Sequence, residues 1–456
     1  MKNLALLLLL NVVFAAHSQG VLIGGGQPTQ PAASAALEVR AQYQGFLPPR
    51  LTSAQRDSIV NPVVGLTIFN TDLDCIEFFT QQLGWQAPCI KAPTVTTQGE
   101  TSLTAFAFYA NGTVVSDGGS LITQRGFCYS TSSTPTLQDS VVFLTGGVGV
   151  MGPSPILNLQ SNTTYYVRAF AGNIMGTSYG LVDTVLTPQP TLVSFSVAGQ
   201  SSWTAASPFI KVLAIGGGGG GGGNDGPVGG GGGSGAAATA SLVLTPGQVY
   251  SIGVGGGGQG GNSQCNGPNG LGGPGGTNGG GNGGNAGTQP CSGGGGGGGG
   301  WSGFYTGNTF FVLAGGGAGG GGSNEGTANN VAAPGGGSQP NGNTGNNNGG
   351  PGANFSGDGG GGGGGGGGYW GGNGQTNLNS NGSASGGANY LATGLTGAQW
   401  NGNSGGIDGN GGFGAAPVNV PVASDFNYGN NAGAGGQGAA SSSGSPGNTG
   451  IVIIAY

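Results

Sequence analysis

The side chains that carry most enzyme chemistry are scarce in this sequence. Among 456 residues there is one histidine, His17. It falls within residues 1–18, which read as an export signal. Lys2 supplies the positive end, Leu4–Leu10 and Val12–Phe14 the apolar core, and Ala16-His17-Ser18 a small-x-small cleavage site before Gln19. Cleavage leaves no histidine, which excludes Ser-His-Asp and Cys-His nucleophilic sites and histidine-ligated metals. Asp72, Asp74 and Glu77 stand close together but lack the Asp-x-[Asn/Asp]-x-[Asn/Asp]-Gly spacing of a calcium loop. They read as a solvated turn. No catalytic, metal-binding or cofactor-binding residue is expected, and the protein is not expected to be an enzyme. With 8 Lys+Arg and a net charge of −6, there is no cluster of phosphate-neutralising charge for nucleic acid.

Two other residue classes remain. Five cysteines in an exported chain suggest disulfides. Cys75 with Cys89 and Cys265 with Cys291 would each close a short loop, the second removing about 3 kcal/mol of denatured-state entropy. Cys128 is left over and reads as a small buried apolar residue. Aromatic rings set among glycine and asparagine are the second class. Trp301, Tyr305, Tyr369, Trp370 and Trp400 are the contact-surface candidates. Rings beside amides suit a flat sugar face or a receptor epitope. The alternative is that each ring plugs the side of a glycine packing and buries its apolar area there.

What must position these rings is the glycine-rich part, residues 197–456. Uninterrupted runs lie at Gly216–Gly223, Gly229–Gly233, Gly293–Gly300 and Gly359–Gly368. Glycine loses more freedom on folding than any other residue, so such a run is either a flexible linker or a lattice of main-chain hydrogen bonds. Apolar pieces punctuate the runs: Phe209–Ile215, Ala237–Leu244, Gln248–Val254, Asn308–Ala314 and Ile451–Tyr456. Continuous apolar runs of this length read as buried strands, and Thr245-Pro246-Gly247 reads as a tight turn. The expectation is a small β framework with glycine loops packed side by side in polyglycine-II geometry, at about 3.1 Å per residue. Gly-x-Gly-x-x-Gly recurs through glycine abundance alone, without a βαβ context or a Gly-Lys-Ser/Thr phosphate loop.

The ordered series Lys211-Val-Leu-Ala-Ile-Gly-Gly-Gly, Leu244-Thr-Pro-Gly-Gln-Val-Tyr-Ser-Ile-Gly-Val and Phe311-Val-Leu-Ala-Gly-Gly-Gly, ending Thr449-Gly-Ile-Val-Ile-Ile-Ala-Tyr456, resembles the bacterial and phage glycine-rich domains. That resemblance implies packed polyglycine-II helices on a β scaffold and a structural or surface-recognition role. Residues 19–90 resemble an N-terminal module of secreted Bacteroidota proteins. The resemblance lies in Val21-Leu-Ile-Gly, Ala36-Leu-Glu-Val39, Gly45-Phe-Leu-Pro-Pro-Arg-Leu-Thr52 and Gly65-Leu-Thr-Ile-Phe-Asn-Thr71. Departures are mild: Glu38 for Asp, Leu51 for Met and Phe69 for Tyr. This module is too short to bury a large core alone, and pairing with other copies, as in a homo-trimer, is expected. Residues 91–187 carry strand-like runs at β-sandwich spacing. Leu159-Gln-Ser-Asn-Thr-Thr-Tyr165-Tyr-Val-Arg-Ala-Phe resembles the sixth-strand region of fibronectin type III domains, with Tyr165 at the tyrosine-corner position. Residues 188–196 read as a linker.

Taken together, the sequence reads as mainly β. It has a small N-terminal β-rich assembly module, a fibronectin type III-like spacer and a glycine-rich β scaffold with polyglycine-II helices. The function expected is a secreted or cell-surface, non-enzymatic, adhesin-like or fibre protein that contacts a glycan or cell-surface receptor, or itself. A self-associating matrix or filament subunit and a phage-derived tail-fibre tip are the alternatives. No apolar stretch after the signal is long enough for a transmembrane helix.

Overall fold

The computed structural model describes residues 21–24, 32, 35–86, 90–224, 228–264, 270–287, 292–323, 348–354, 360–375, 384, 386–393, 395–400, 426, 432–437 and 443–456. The signal segment therefore lies outside the described residues. Two compact units divide the chain: Met1–Ala92 with Asp117–Leu121, and Pro93–Ser116 with Ile122–Tyr456. Nearly every element is a strand.

In the first unit β1 (Val21–Ile23) and β2 (Leu37–Val39) form an isolated parallel pair. Then come β3 (Arg50–Leu51), the short helix α1 (Ser53–Asp57), β4 (Thr67–Asn70), β5 (Cys75–Thr80) and β6 (Gly84–Gln86). The sheet order is β3-β4-β5-β6, with β3 parallel to β4 and the rest an antiparallel meander. Helix α1 starts where a capping box allows it. The Thr52 hydroxyl accepts from Gln55 N–H at 3.2 Å and the Gln55 side chain accepts from Thr52 N–H at 2.9 Å.

The second unit opens with a β sandwich. Its strands are β7 (Thr94–Thr101), β8 (Phe108–Ser116), β9 (Gln124–Ser130), β10 (Ser140–Leu144), β11 (Gly149–Ile156), β12 (Thr164–Asn173), β13 (Gly176–Tyr179) and β14 (Asp183–Leu186). One sheet runs β11-β8-β7; the other runs β10-β9-β12-β13, with β14 also on β12. Alternate residues of the two sheets meet in the core, Phe108 and Met151 against Phe127, Val167 and Ala169. Tyr165 is buried, and its hydroxyl oxygen accepts the Gln160 N–H at 3.0 Å.

The glycine-rich part is framed by twelve strands: β15 (Leu192–Phe195), β16 (Gly199–Thr204), β17 (Phe209–Ile215), β18 (Ala237–Val243), β19 (Val249–Val254), β20 (Ser263–Gln264), β21 (Ser292–Gly293), β22 (Ser302–Thr306), β23 (Thr309–Ala314), β24 (Tyr390–Leu391), β25 (Thr396–Trp400) and β26 (Ile451–Ala455). Two five-stranded antiparallel sheets, β15-β26-β17-β18-β25 and β16-β19-β22-β23-β24, face each other. Val212, Ala240 and Ile454 of the first pack with Ile252, Phe304 and Val312 of the second. The other face of β17 and β26 is also covered: Leu213, Ile215 and Ile453 cluster with Ala105 and Phe106 of the sandwich segment. Burial on both faces is why these two strands read as continuous apolar runs. The stretch 188–196 supplies β15, hydrogen-bonded along β26. Gly247, at φ +84°, takes the left-handed position of the Thr245–Gln248 turn.

Glycine runs leave β17, β19 and β23 at their C-terminal ends and enter β18, β22 and β26 at their N-terminal ends. In antiparallel sheets these are all the same end. There the runs bond to one another with a period of three. Gly217, Gly220 and Gly223 donate to the carbonyls of Gly300, Gly297 and Gly294, each at 2.8 Å. Gly218 and Gly221 donate to Asn448 and Ser445, and Gly219 and Gly222 to Gly233 and Gly230. The run 293–300 is the centre. It donates to three neighbours, at Gly256–Asn262, Gly281–Gly284 and Gly317–Ser323, and accepts from three more, at Gly217–Gly223, Gly273–Gly276 and Gly361–Gly367. Its glycines are all buried, and methyls on Gly294–Gly300 would meet a neighbouring carbonyl. Main-chain bonding thus replaces side-chain packing as the means of burial.

Candidate assembly and contact surfaces

The first unit buries little of itself. Among its described residues the buried apolar side chains are Pro48, Ile68 and Cys75, and the buried polar ones are Asn70 and Glu77. Glu77 is held by Arg56 Nη1 at 2.7 Å and by Asn70 Nδ2 at 2.8 Å. Asp72 accepts the Ser53 N–H at 2.7 Å, at the start of α1. Asp72 and Asp74 lie in the exposed turn expected from sequence, but Glu77 does not: it sits inside the unit, paired. No group of three or more His, Cys, Asp or Glu placed to hold a metal ion is found among the described residues.

Around this small polar centre the surface is apolar. Tyr43 is 95% exposed, Leu47 73% and Val60 83%. Phe46, Val63 and Val64 are exposed as well, and so are Val21 and Ile23 of β1 and Leu37 and Val39 of β2, which pair with them. About half of the large apolar side chains exposed among the described residues precede residue 92. Helix α1 buries no residue. A two-stranded sheet with no third strand and no covered face is marginal by itself, and exposed apolar area of this extent marks an interaction surface.

The disulfide expectation needs correction. Among the described residues no two cysteine sulfurs are joined to each other. Cys75 begins β5 in the first unit, and Cys128 lies mid-strand in β9 of the second. Cys128 is a free, buried thiol that donates to the Pro135 carbonyl at 3.4 Å, and burial pushes its pKa up. Cys75 is buried too and is not a partnerless thiol. Cys89, Cys265 and Cys291 lie outside the described residues. Restraint in the described glycine-rich part comes from the main-chain network instead.

Four of the aromatic candidates form two groups on the second glycine-domain sheet and its loops, and Trp400 lies on the first sheet. Trp301 is 7% exposed, edge-on to Tyr305 and Phe310 at 5.9 and 5.2 Å. Its ring lies where a side chain on Gly253 would sit. Tyr305 is half-buried; its hydroxyl bonds the Gln200 side chain, and burial raises its pKa. Tyr369 stacks on Tyr390 at 4.1 Å and meets Trp370 edge-on at 5.3 Å, all three partly open. Trp400 ends β25 with its main chain opposite Ala237. Sequence reading missed the asparagine side chains that bond into the lattice. Asn282 and Asn285 Oδ1 accept from Gly275 and Gly272 N–H at 2.8 and 2.9 Å. The signal was their spacing of three within glycine.

No helix among the described residues is long and apolar enough to cross a membrane. Residues 24–104 match the phage tail-like trimerisation region family, less than a fifth of the chain. No curated protein matches the chain.

Proposed function

We propose that this chain is a non-catalytic fibre subunit that assembles as a homo-trimer through its N-terminal region and carries the glycine-rich part as a rigid terminal body. One observation carries the reading: among its described residues the first unit exposes most of its large apolar side chains around a very small core, within a segment similar to a phage tail-like trimerisation region. A phage-tail-related fibre agrees better with that similarity than a matrix subunit does. The sandwich order of three strands against four plus β14, with the Tyr165–Gln160 corner, supports a fibronectin type III-like spacer over 91–187. Bonding of period three around run 293–300, with six neighbours, supports reading the runs as polyglycine-II helices. The signal-like sequence of residues 1–18 supports a location outside the cell or on its surface.

The stacked, partly open rings of Tyr369, Trp370 and Tyr390 are the part of the body that suits contact with a glycan or a receptor. The test of assembly is the mass of residues 19–456 by light scattering. A trimer is expected, and a Leu47→Asp/Val63→Asp variant should fall to monomer while keeping its thermal transition. A wild-type monomer at all concentrations would end the proposal. Glycan-array binding lost in Trp370→Ala would support the contact role.

A further inference from the structure

In a rod with three residues per turn, residues i, i+3 and i+6 point in one direction. Each rod thus has three rows of N–H donors. In the central run 293–300 all three rows are used inside the lattice. Three rods at the margin differ. In 444–450, Gly444, Gly447 and Gly450 donate to Gly261, Gly258 and Gly255, and Ser445 and Asn448 to Gln437 and Ala434; the third row contains Pro446. In 349–354, Gly349 and Gly352 donate to Gly279 and Asn282, and Gly350 and Ala353 to Gly372 and Gln375; the third row contains Pro351. In 270–276, Gly273 and Gly276 donate to Gly295 and Gly298, and Gly272 and Gly275 to the asparagine side chains; the third row contains Pro274, flanked by exposed Leu271 and Thr277.

All three prolines are exposed. Proline has no N–H, and its fixed φ suits an extended three-fold rod. So it fits each rod without distortion and deletes the outward donor that a further rod would need. Natural sheets protect their open edges by the same means. We infer that Pro274, Pro351 and Pro446 close the glycine lattice to a second copy of this chain, so that copies do not join rod to rod. The inference rests on the polyglycine-II reading above. It confines contact between copies to surfaces other than the lattice flank.

The full chain and a Pro274→Gly/Pro351→Gly/Pro446→Gly variant are compared by sedimentation velocity, with amide exchange on both. The wild type should sediment as one species across the concentration range. The variant should add larger, concentration-dependent species while its lattice amides stay protected. Unchanged sedimentation of a variant with protected amides would overturn the inference, as would rod-to-rod growth of the wild type. Fast exchange across Gly216–Gly368 in the wild type would instead remove the lattice reading itself. A second pair tests the row assignment without relying on the triple variant: Thr449→Pro should keep the melting temperature, and Gly447→Pro should lower it. Equal losses in both would also sink the inference.

Discussion

Residues 35–86 carry ordinary side chains and bury few of them; the glycine runs carry almost none and bury nearly all of their main chain. In the first unit many apolar groups are present but turned outward, and the proposed assembly with other copies is what would bury them. In the lattice few side chains take part, and backbone groups bond mainly to other runs of the same chain. The difference teaches where assembly should reside. A region whose N–H and C=O groups are internally paired gains nothing by docking, while a region with uncovered valine, leucine and phenylalanine gains about 25 cal/mol for each Å² it hides.

The comparison breaks most sharply at a single methyl. Gly296→Ala would drive a Cβ into the Gly220 carbonyl in the middle of the lattice. The expected loss is large, above roughly 4 kcal/mol, as for other gross steric insertions in a packed core. Were the run a flexible linker, the same change would stabilise by about 0.4–1 kcal/mol through the unfolded state, or do nothing. Thermal unfolding decides by sign. The lattice transition should collapse, and amide protection at Gly217–Gly223 and Gly293–Gly300 should vanish with it.

Next in size is the centre of the first unit. Glu77→Gln keeps the shape but leaves Arg56, itself mostly covered, without its charge partner. Breaking a buried pair by removing one member costs about 3–5 kcal/mol. Part of Arg56 also reaches exposed Asp57 at 2.9 Å, which softens the loss toward the lower figure. The measurement is chemical denaturation followed at Trp85, which packs on Phe79 beside β5. Lattice amides should keep their protection, because the two units rest on different interactions.

How much of this could be read from sequence depends on which atoms carry the signal. Strands β17, β18, β19, β23 and β26 were legible because side chains declare them: apolar runs with a turn at Thr245–Gly247 between two of them. Strand β11 was not. Gly149–Ile156 contains Gly152 and Pro153 at a bulge, and its pairing with β8 is a main-chain fact. Strands β7 and β16 were missed for a related reason. Both lie at sheet edges and are polar outward, so alternation is weak. Glu77 misled because a carboxylate near two aspartates looks solvated, while its partner Arg56 lies 21 residues earlier. The aromatic candidates were found by composition, which says nothing about depth; only packing separates Trp301, deep against Gly253, from Tyr369 and Trp370.

The smallest effect is the dependence on acid. Among the described residues the glycine runs hold no carboxylate, so protonation has nothing to change there. The first unit differs. The Arg40 guanidinium bonds both Glu38 oxygens, and the Ala32 N–H adds a bond at 2.6 Å; together they hold the Glu38 carboxyl below its ordinary value. A depressed folded-state pKa contributes stability that is present above the unfolded value and lost as pH falls through the folded one. Both side chains of the pair are partly open to solvent, so the contribution is screened and modest. Amide protection in β1 and β2 should therefore weaken slightly below the ordinary glutamate range, and Glu38→Gln should abolish that part of the pH dependence. Protection in the glycine runs should stay level through the same titration. A lattice that loosened in acid alongside β2 would mean that its stability is borrowed from charged side chains, against the pairing of backbone with backbone on which the contrast depends.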